Sequence, residues 1–196
     1  MTIMFLMIIK IFAIDTKKVD VSSLLTDEDL LLCSNIKSEE TKREKIASLY
    51  LKKKYIGQYS LDERGKPISD KTYFNVSHSH GLVLLAVSEQ YPIGIDVELV
   101  RKADPRLVDF ALNDEEKKWI EDDKDFYKIW TSKEALLKAV GIGISKRLNE
   151  VPGLPLNGVR EFDQKIYNSK TVDYEDYVVT ITLESNNQFD IVFVIE

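Results

Sequence analysis

Three short stretches hold most of the residues able to do chemistry. The first, Ile93 to Leu99, reads Ile-Gly-Ile-Asp-Val-Glu-Leu. Strand residues alternate faces, so Asp96 and Glu98 share one side while Ile93, Ile95, Val97 and Leu99 take the other. Alone, this is a half-buried strand with a wet outer face. Two carboxylates on one face also begin a site for Mg²⁺, a hard cation that takes oxygen ligands and keeps several waters. Gly94 beside them leaves room for something bulky to approach. The second stretch runs from Trp130 to Ala139, Trp-Thr-Ser-Lys-Glu-Ala-Leu-Leu-Lys-Ala. At helical spacing Phe126, Ile129, Trp130, Leu137 and Val140 form an apolar stripe, with Glu134 and Lys138 one turn apart at its edge. These two either make an intrahelical ion pair, worth about 0.3–0.5 kcal/mol, or lean into a cleft beside the core. Lys133 falls inside the stripe, where an ammonium must snorkel or meet a buried anion.

The third stretch, Phe74 to Gly81, reads Phe-Asn-Val-Ser-His-Ser-His-Gly. Alternation sets Asn75 and Ser77 opposite Phe74, Val76 and His78, with a register break possible at the turn. A histidine suits a phosphate, because both ring nitrogens donate when it is protonated. Other chemistries fit poorly. Ser77 and His78 are adjacent and no G-x-S-x-G elbow exists, against a Ser-His-Asp hydrolase. One cysteine, Cys33, and two histidines cannot close a zinc site of the usual kind. No G-x-x-x-x-G-K-[ST] phosphate loop is present.

These stretches must be held by strands and helices, and the sequence predicts them. Ile3 to Ile14 reads as a buried first strand; Lys10 interrupts the apolar run, unlike a secretory signal, and the run is too short to span a bilayer. Thr26 starts a short helix, and Ser38 opens a longer one that stops at Gly57. Arg64 to Pro67 is a turn. Strands follow at Tyr73–Val76, Leu82–Val87 and Ile93–Val100. Pro105 begins a helix through Leu112, and Asn113 caps another through Ile120. The strongest helix runs from Lys124 to Val140, ended by Gly141 and Gly143. Strands then recur at Val159–Tyr167, Tyr177–Leu183 and Phe189–Ile195. This alternation predicts an α+β fold with no long linker and no internal repeat.

Composition sets limits. The 196 residues are 44% hydrophobic and 31% charged, ordinary for a folded globular protein and enough for a substantial core. A lone cysteine fits a reducing, cytoplasmic setting. The net charge of −6 argues against nucleic acid as a partner. Charge is uneven: Lys37 to Lys54 holds seven basic and three acidic residues, and Asp104 to Asp125 nine acidic and four basic. The basic segment is a solvated helix face or a docking site for phosphates.

In this order and together, Phe74-Asn-Val-Ser-His-Ser, Gly94-Ile-Asp-Val-Glu and Trp130-Thr-Ser-Lys-Glu-Ala…Lys138-Ala…Gly141-Ile-Gly resemble the 4′-phosphopantetheinyl transferases of the surfactin-synthetase (Sfp) type. Gly65-Lys66-Pro67 matches as well, so the resemblance covers roughly residues 40 to 145. It implies a pseudo-dimer of two similar α/β lobes, residues 1–95 and 96–196, with the active site in the cleft between them. It implies Mg²⁺ held by Asp96, Glu98 and Glu134, and coenzyme A as the substrate. Lys138 would contact the pyrophosphate, and Lys66, Ser77 and His78 the 3′-phosphate and adenosine end. Lys42, Arg43 and Lys45 suit further phosphate contacts, with their individual roles open, because one register sets Glu44 near an expected arginine. Glu134 is the preferred general base, with Glu98 the alternative, and Lys138 assists the chemistry. The implied partner is an apo acyl or peptidyl carrier protein, whether of fatty-acid, polyketide or peptide synthesis. The chain is expected to be a cytoplasmic monomer that binds neither nucleic acid nor membrane. A non-catalytic coenzyme A or carrier-protein binding module of the same fold is the alternative. Its weakness is that the carboxylates and Lys138 are all retained.

Overall fold

The computed structural model describes residues 6–63, 67–142 and 148–196. Strand β1 (Met7–Asp15) buries Ile9, Ile11 and Ala13 on one face and Phe12 and Ile14 on the other. A strand that is apolar on both faces needs a covering layer on each. One cover is helical. Thr26 caps α1 (Asp27–Leu31) in a reciprocal box with Asp29, and Ser38 caps α2 (Glu39–Tyr55) by accepting from the Thr41 N–H. Helix α2 then lays Ile46, Ala47, Leu49 and Leu51 against Phe12, Ile14, Val83 and Leu85. Gly57 follows at φ 75°, its N–H bonded to the Lys52 carbonyl. A small hairpin, β2 (Ser60–Leu61) and β3 (Pro67–Ile68), flanks the expected Arg64–Pro67 turn, of which residues 64–66 lie outside the described residues.

Strands β4 (Tyr73–Ser79) and β5 (Leu82–Ser88) form a tight hairpin through His80 and Gly81, both at positive φ as such turns require. The alternation of β4 therefore continues unbroken to Ser79. Strand β6 (Ile93–Leu99) starts a second sheet. Asp104 and Pro105 open α3 (Pro105–Ala111), and Asn113 and Glu116 form the capping box of α4 (Asp114–Trp119). Helix α5 (Asp123–Val140) is capped by Asp122 and ends at Gly141 in the left-handed region; Gly143, the second expected stop, lies outside the described residues. The expected strand at Val159–Tyr167 is instead a hairpin, β7 (Gly158–Phe162) and β8 (Lys165–Tyr174), turned by Asp163 and Gln164 at positive φ. Strands β9 (Tyr177–Leu183) and β10 (Phe189–Ile195) lie where the sequence predicts.

The first sheet has the order β10-β1-β5-β4, and β10 returns from the far end of the chain to pair parallel with β1. The second, β6-β9-β8-β7, is antiparallel throughout. One face of each sheet joins a shared buried layer. Ile9, Ile11, Leu82 and Leu84 come from the first sheet, and Ile95, Val97, Val179 and Ile181 from the second. Helices α1 and α2 cover the outer face of the first sheet, while α5 packs on Tyr167 and Val178 of the second. The expected α+β class is thus observed; the expected division after residue 95 falls inside β6. Among the described residues, no helix is long and apolar enough to cross a membrane.

Candidate functional site

Where the two sheets meet, a free strand edge is closed by side chains. The outward N–H groups of β6 would be unsatisfied, because its neighbour β9 occupies only one edge. Asn75, Ser77 and Ser79, successive same-face residues of β4, take them. Ile95 N donates to Asn75 Oδ1 at 3.1 Å, Val97 N to Ser77 Oγ at 3.3 Å, and Leu99 N to Ser79 Oγ at 3.3 Å. The two serine hydroxyls then donate onward to carboxylates, Ser77 to Asp96 Oδ1 at 2.9 Å and Ser79 to Glu98 Oε2 at 2.8 Å. The seam thereby fixes the two carboxylates of the first motif.

Helix α5 brings the other two groups. A Cβ on Gly94 would lie 2.0 Å from the Ala135 carbonyl oxygen and 2.5 Å from Ala139 N, so only glycine lets the helix backbone come this close. The bulky neighbour expected beside Gly94 is therefore the helix itself. At that approach Lys138 crosses to the strand, its ammonium donating to Asp96 Oδ1 at 2.6 Å, Ser77 Oγ at 3.0 Å and the Ile95 carbonyl at 3.2 Å. Glu134, one turn earlier, is buried near both Asp96 and Glu98. Burial, then the charge of Asp96, pushes its carboxyl up to about 7, with Lys138 opposing. Glu98 is also raised, by burial and then by Asp96.

Asp96, Glu98, Glu134 and Lys138 therefore converge, and the carboxylates carry more negative charge than one ammonium offsets. Asp96 Oδ2 and Glu134 Oε1 are buried without a hydrogen-bond partner, which is costly unless something else binds there. Among the described residues, no three acidic, histidine or cysteine side chains form a ready-made metal cage. Mg²⁺ seldom needs one, since it is commonly held by one or two carboxylates together with waters and substrate phosphates. The donor set fits that mode of binding.

Lys133, next to Glu134, is fully buried and meets the anion its place in the stripe demanded. It donates to Glu116 Oε2 at 2.5 Å and to the carbonyls of Ala111 at 2.7 Å and Leu148 at 3.1 Å. Glu116 also accepts from Gly153 N at 2.8 Å, so α5 is locked to α4 and the following loop.

The remaining expected residues lie on β4 and α2, apart from one outside the described residues. His78 is half-exposed, with Nδ1 3.0 Å from Glu44 Oε2. On α2, Lys42 is half-buried, while Arg43 and Lys45 are exposed. Arg43 lies beside Asp20 and Val21. Lys66 lies outside the described residues. Ser77 is committed to the seam already described. The sequence reading missed Ser79 and gave Asn75 no task. The signal was the period-two recurrence of short polar residues at 75, 77 and 79, which shows a face but not what that face meets.

Residues 92–182 match the family model of the 4′-phosphopantetheinyl transferase superfamily. The chain is 31% identical to the 4′-phosphopantetheinyl transferase HetI of Nostoc sp., over 65% of this chain and 64% of that protein. It is 36% identical to the transferase Sfp of Bacillus subtilis over 47% of this chain and 45% of that protein. The transferase gsp of Aneurinibacillus migulanus is 33% identical over 46% of this chain and 41% of that protein. The matches therefore span about half the length of these curated relatives. The matched region contains β6 and α5, the two elements that carry the carboxylates and Lys138.

Proposed function

We propose that this chain, a relative of the 4′-phosphopantetheinyl transferase superfamily, moves the phosphopantetheine arm of coenzyme A onto a serine of an apo acyl or peptidyl carrier protein. The observation that carries this reading is the convergence of Asp96, Glu98, Glu134 and Lys138, with two buried carboxylate oxygens lacking partners. We read residues 1–95 and 96–196 as two lobes, with β10 returned to the first and the substrate held between them. Asp96, Glu98 and Glu134 would hold Mg²⁺, which would offset the charge of the pyrophosphate.

The carrier serine oxygen forms a bond to the pantetheine-side phosphorus, and the bond from that phosphorus to the adenosine 3′,5′-bisphosphate breaks. Negative charge grows on the phosphoryl oxygens and the leaving group. Lys138 supplies a fixed positive charge at that point, with its ammonium held by Asp96, Ser77 and the Ile95 carbonyl. The serine proton passes to Glu134, the carboxylate that α5 sets beside Asp96 and Glu98. His78, Lys66, Lys42, Arg43 and Lys45 are assigned to the 3′-phosphate and nucleotide, while the Ser77 hydroxyl stays on Asp96.

Calorimetry with coenzyme A, with and without Mg²⁺, tests the reading. The wild type should bind more tightly with Mg²⁺, and Asp96→Ala should abolish that gain while leaving metal-free binding weak but measurable. Equal binding with and without Mg²⁺ in the wild type would refute it.

A further inference from the structure

Beside the β4–β5 turn lies a buried carboxylate, Glu44, that the phosphate and metal assignments leave unused. Glu44 is an acidic residue within the basic run of α2, and it is 5% exposed. Its Oε1 accepts from Gly81 N at 2.8 Å, and His78 Nδ1 lies 3.0 Å from its Oε2. The turn it grips is held from two other directions. The Gly81 carbonyl accepts from Thr16 N at 2.8 Å and Thr16 Oγ1 at 3.0 Å, and the Tyr177 hydroxyl donates to the His80 carbonyl at 3.2 Å. Against this fixed frame the His78 side chain is 48% exposed, so the ring has Glu44 beside Nδ1 and remains reachable from solvent.

The bond made by one imidazole nitrogen decides what the other can offer. An ionised carboxylate only accepts, so Nδ1 must carry a proton to bond with Glu44. In the neutral ring, Nε2 then presents a lone pair; in the protonated ring, it presents an N–H to an anion, with Glu44 balancing the charge behind it.

We propose that Glu44 is a positioning residue for His78, fixing the ring in its Nδ1–H form with Nε2 turned to the ligand side. The ligand's identity, the 3′-phosphate of coenzyme A, rests on the function proposed above; the tautomer does not.

Long-range ¹H–¹⁵N correlation spectra of uniformly labelled protein test this, with His80→Gln separating the two histidines. At pH values where the rings are neutral, His78 should be in the Nδ1–H form. Glu44→Gln keeps an oxygen for Gly81 N but turns an NH₂ toward Nδ1, so His78 should switch to the Nε2–H form. An Nε2–H form in the wild type overturns the proposal, and so does a tautomer unchanged in Glu44→Gln. Should that variant fail to fold, the wild-type spectrum alone decides. In the wild type, coenzyme A should shift the Nε2 resonance and dephospho-coenzyme A, which lacks the 3′-phosphate, should not. An Nε2 resonance unmoved by bound coenzyme A would remove His78 from the nucleotide site, while the tautomer result would still judge Glu44.

Discussion

At Glu134 the cost of assembling the site can be measured apart from any reaction. Its carboxyl is raised from the ordinary value of 4.5 to about 7 by burial and by Asp96. A folded-state pKa above the unfolded one means that the native state binds the extra proton. Stability attached to this group is therefore full below about 4.5 and is lost as pH rises through about 7, by an amount on the order of a few kcal/mol. Glu134→Gln removes that penalty. Without divalent cations or coenzyme A, its melting temperature should match the wild type near pH 4 and exceed it by several degrees at pH 8, whereas transfer is lost. A variant less stable than the wild type at pH 8 would show that Glu134 is not held under electrostatic strain. The sequence made the residue legible as a carboxylate at a stripe edge. It did not reveal Glu44, because an acidic residue amid lysines looks solvated until the turn at Gly81 is folded against it.

Helix α5 and strand β6 are the elements whose approach makes the site. Helix ends were legible here: the caps at Thr26, Ser38 and Asn113 and the stop at Gly141 sit where the sequence predicts, while the Asp122 cap was not anticipated. Two features were not legible. Asp163 and Gln164 adopt the left-handed conformation without a glycine to signal the turn, which hid the β7–β8 hairpin. Gly94 read as room for something bulky, without saying what, because a sequence does not show which backbone will pack on a strand. Gly94→Ala tests the packing account directly. A methyl 2.0 Å from the Ala135 carbonyl must displace α5 backbone, which cannot yield as a flexible side chain would. The expected loss is at least about 2–3 kcal/mol of unfolding free energy, in line with overpacked cores, together with loss of Mg²⁺-dependent coenzyme A binding. A variant of wild-type stability and binding would contradict it.

For the molecule as a whole, two sheets are joined face to face by one apolar layer and along one seam by the polar side chains of β4. The apolar layer was legible in the strand patterns; the seam and the parallel return of β10 were not, since both pair residues far apart in sequence. Asn75→Ala leaves the Ile95 N–H without its acceptor in a buried place, which should cost about 1–3 kcal/mol in urea unfolding. Ser79→Ala, at the more open end of the seam, should cost less, and the reverse order would refute the seam's role. The account's central claim concerns what this joined structure does to its substrates. It is tested most directly by incubating the protein with coenzyme A, Mg²⁺ and apo acyl and peptidyl carrier proteins, then reading intact masses. The account predicts that at least one carrier gains the mass of one phosphopantetheine, at a serine, with wild type but not with Glu134→Gln. No mass gain on any carrier, or an equal gain with Glu134→Gln, would contradict it.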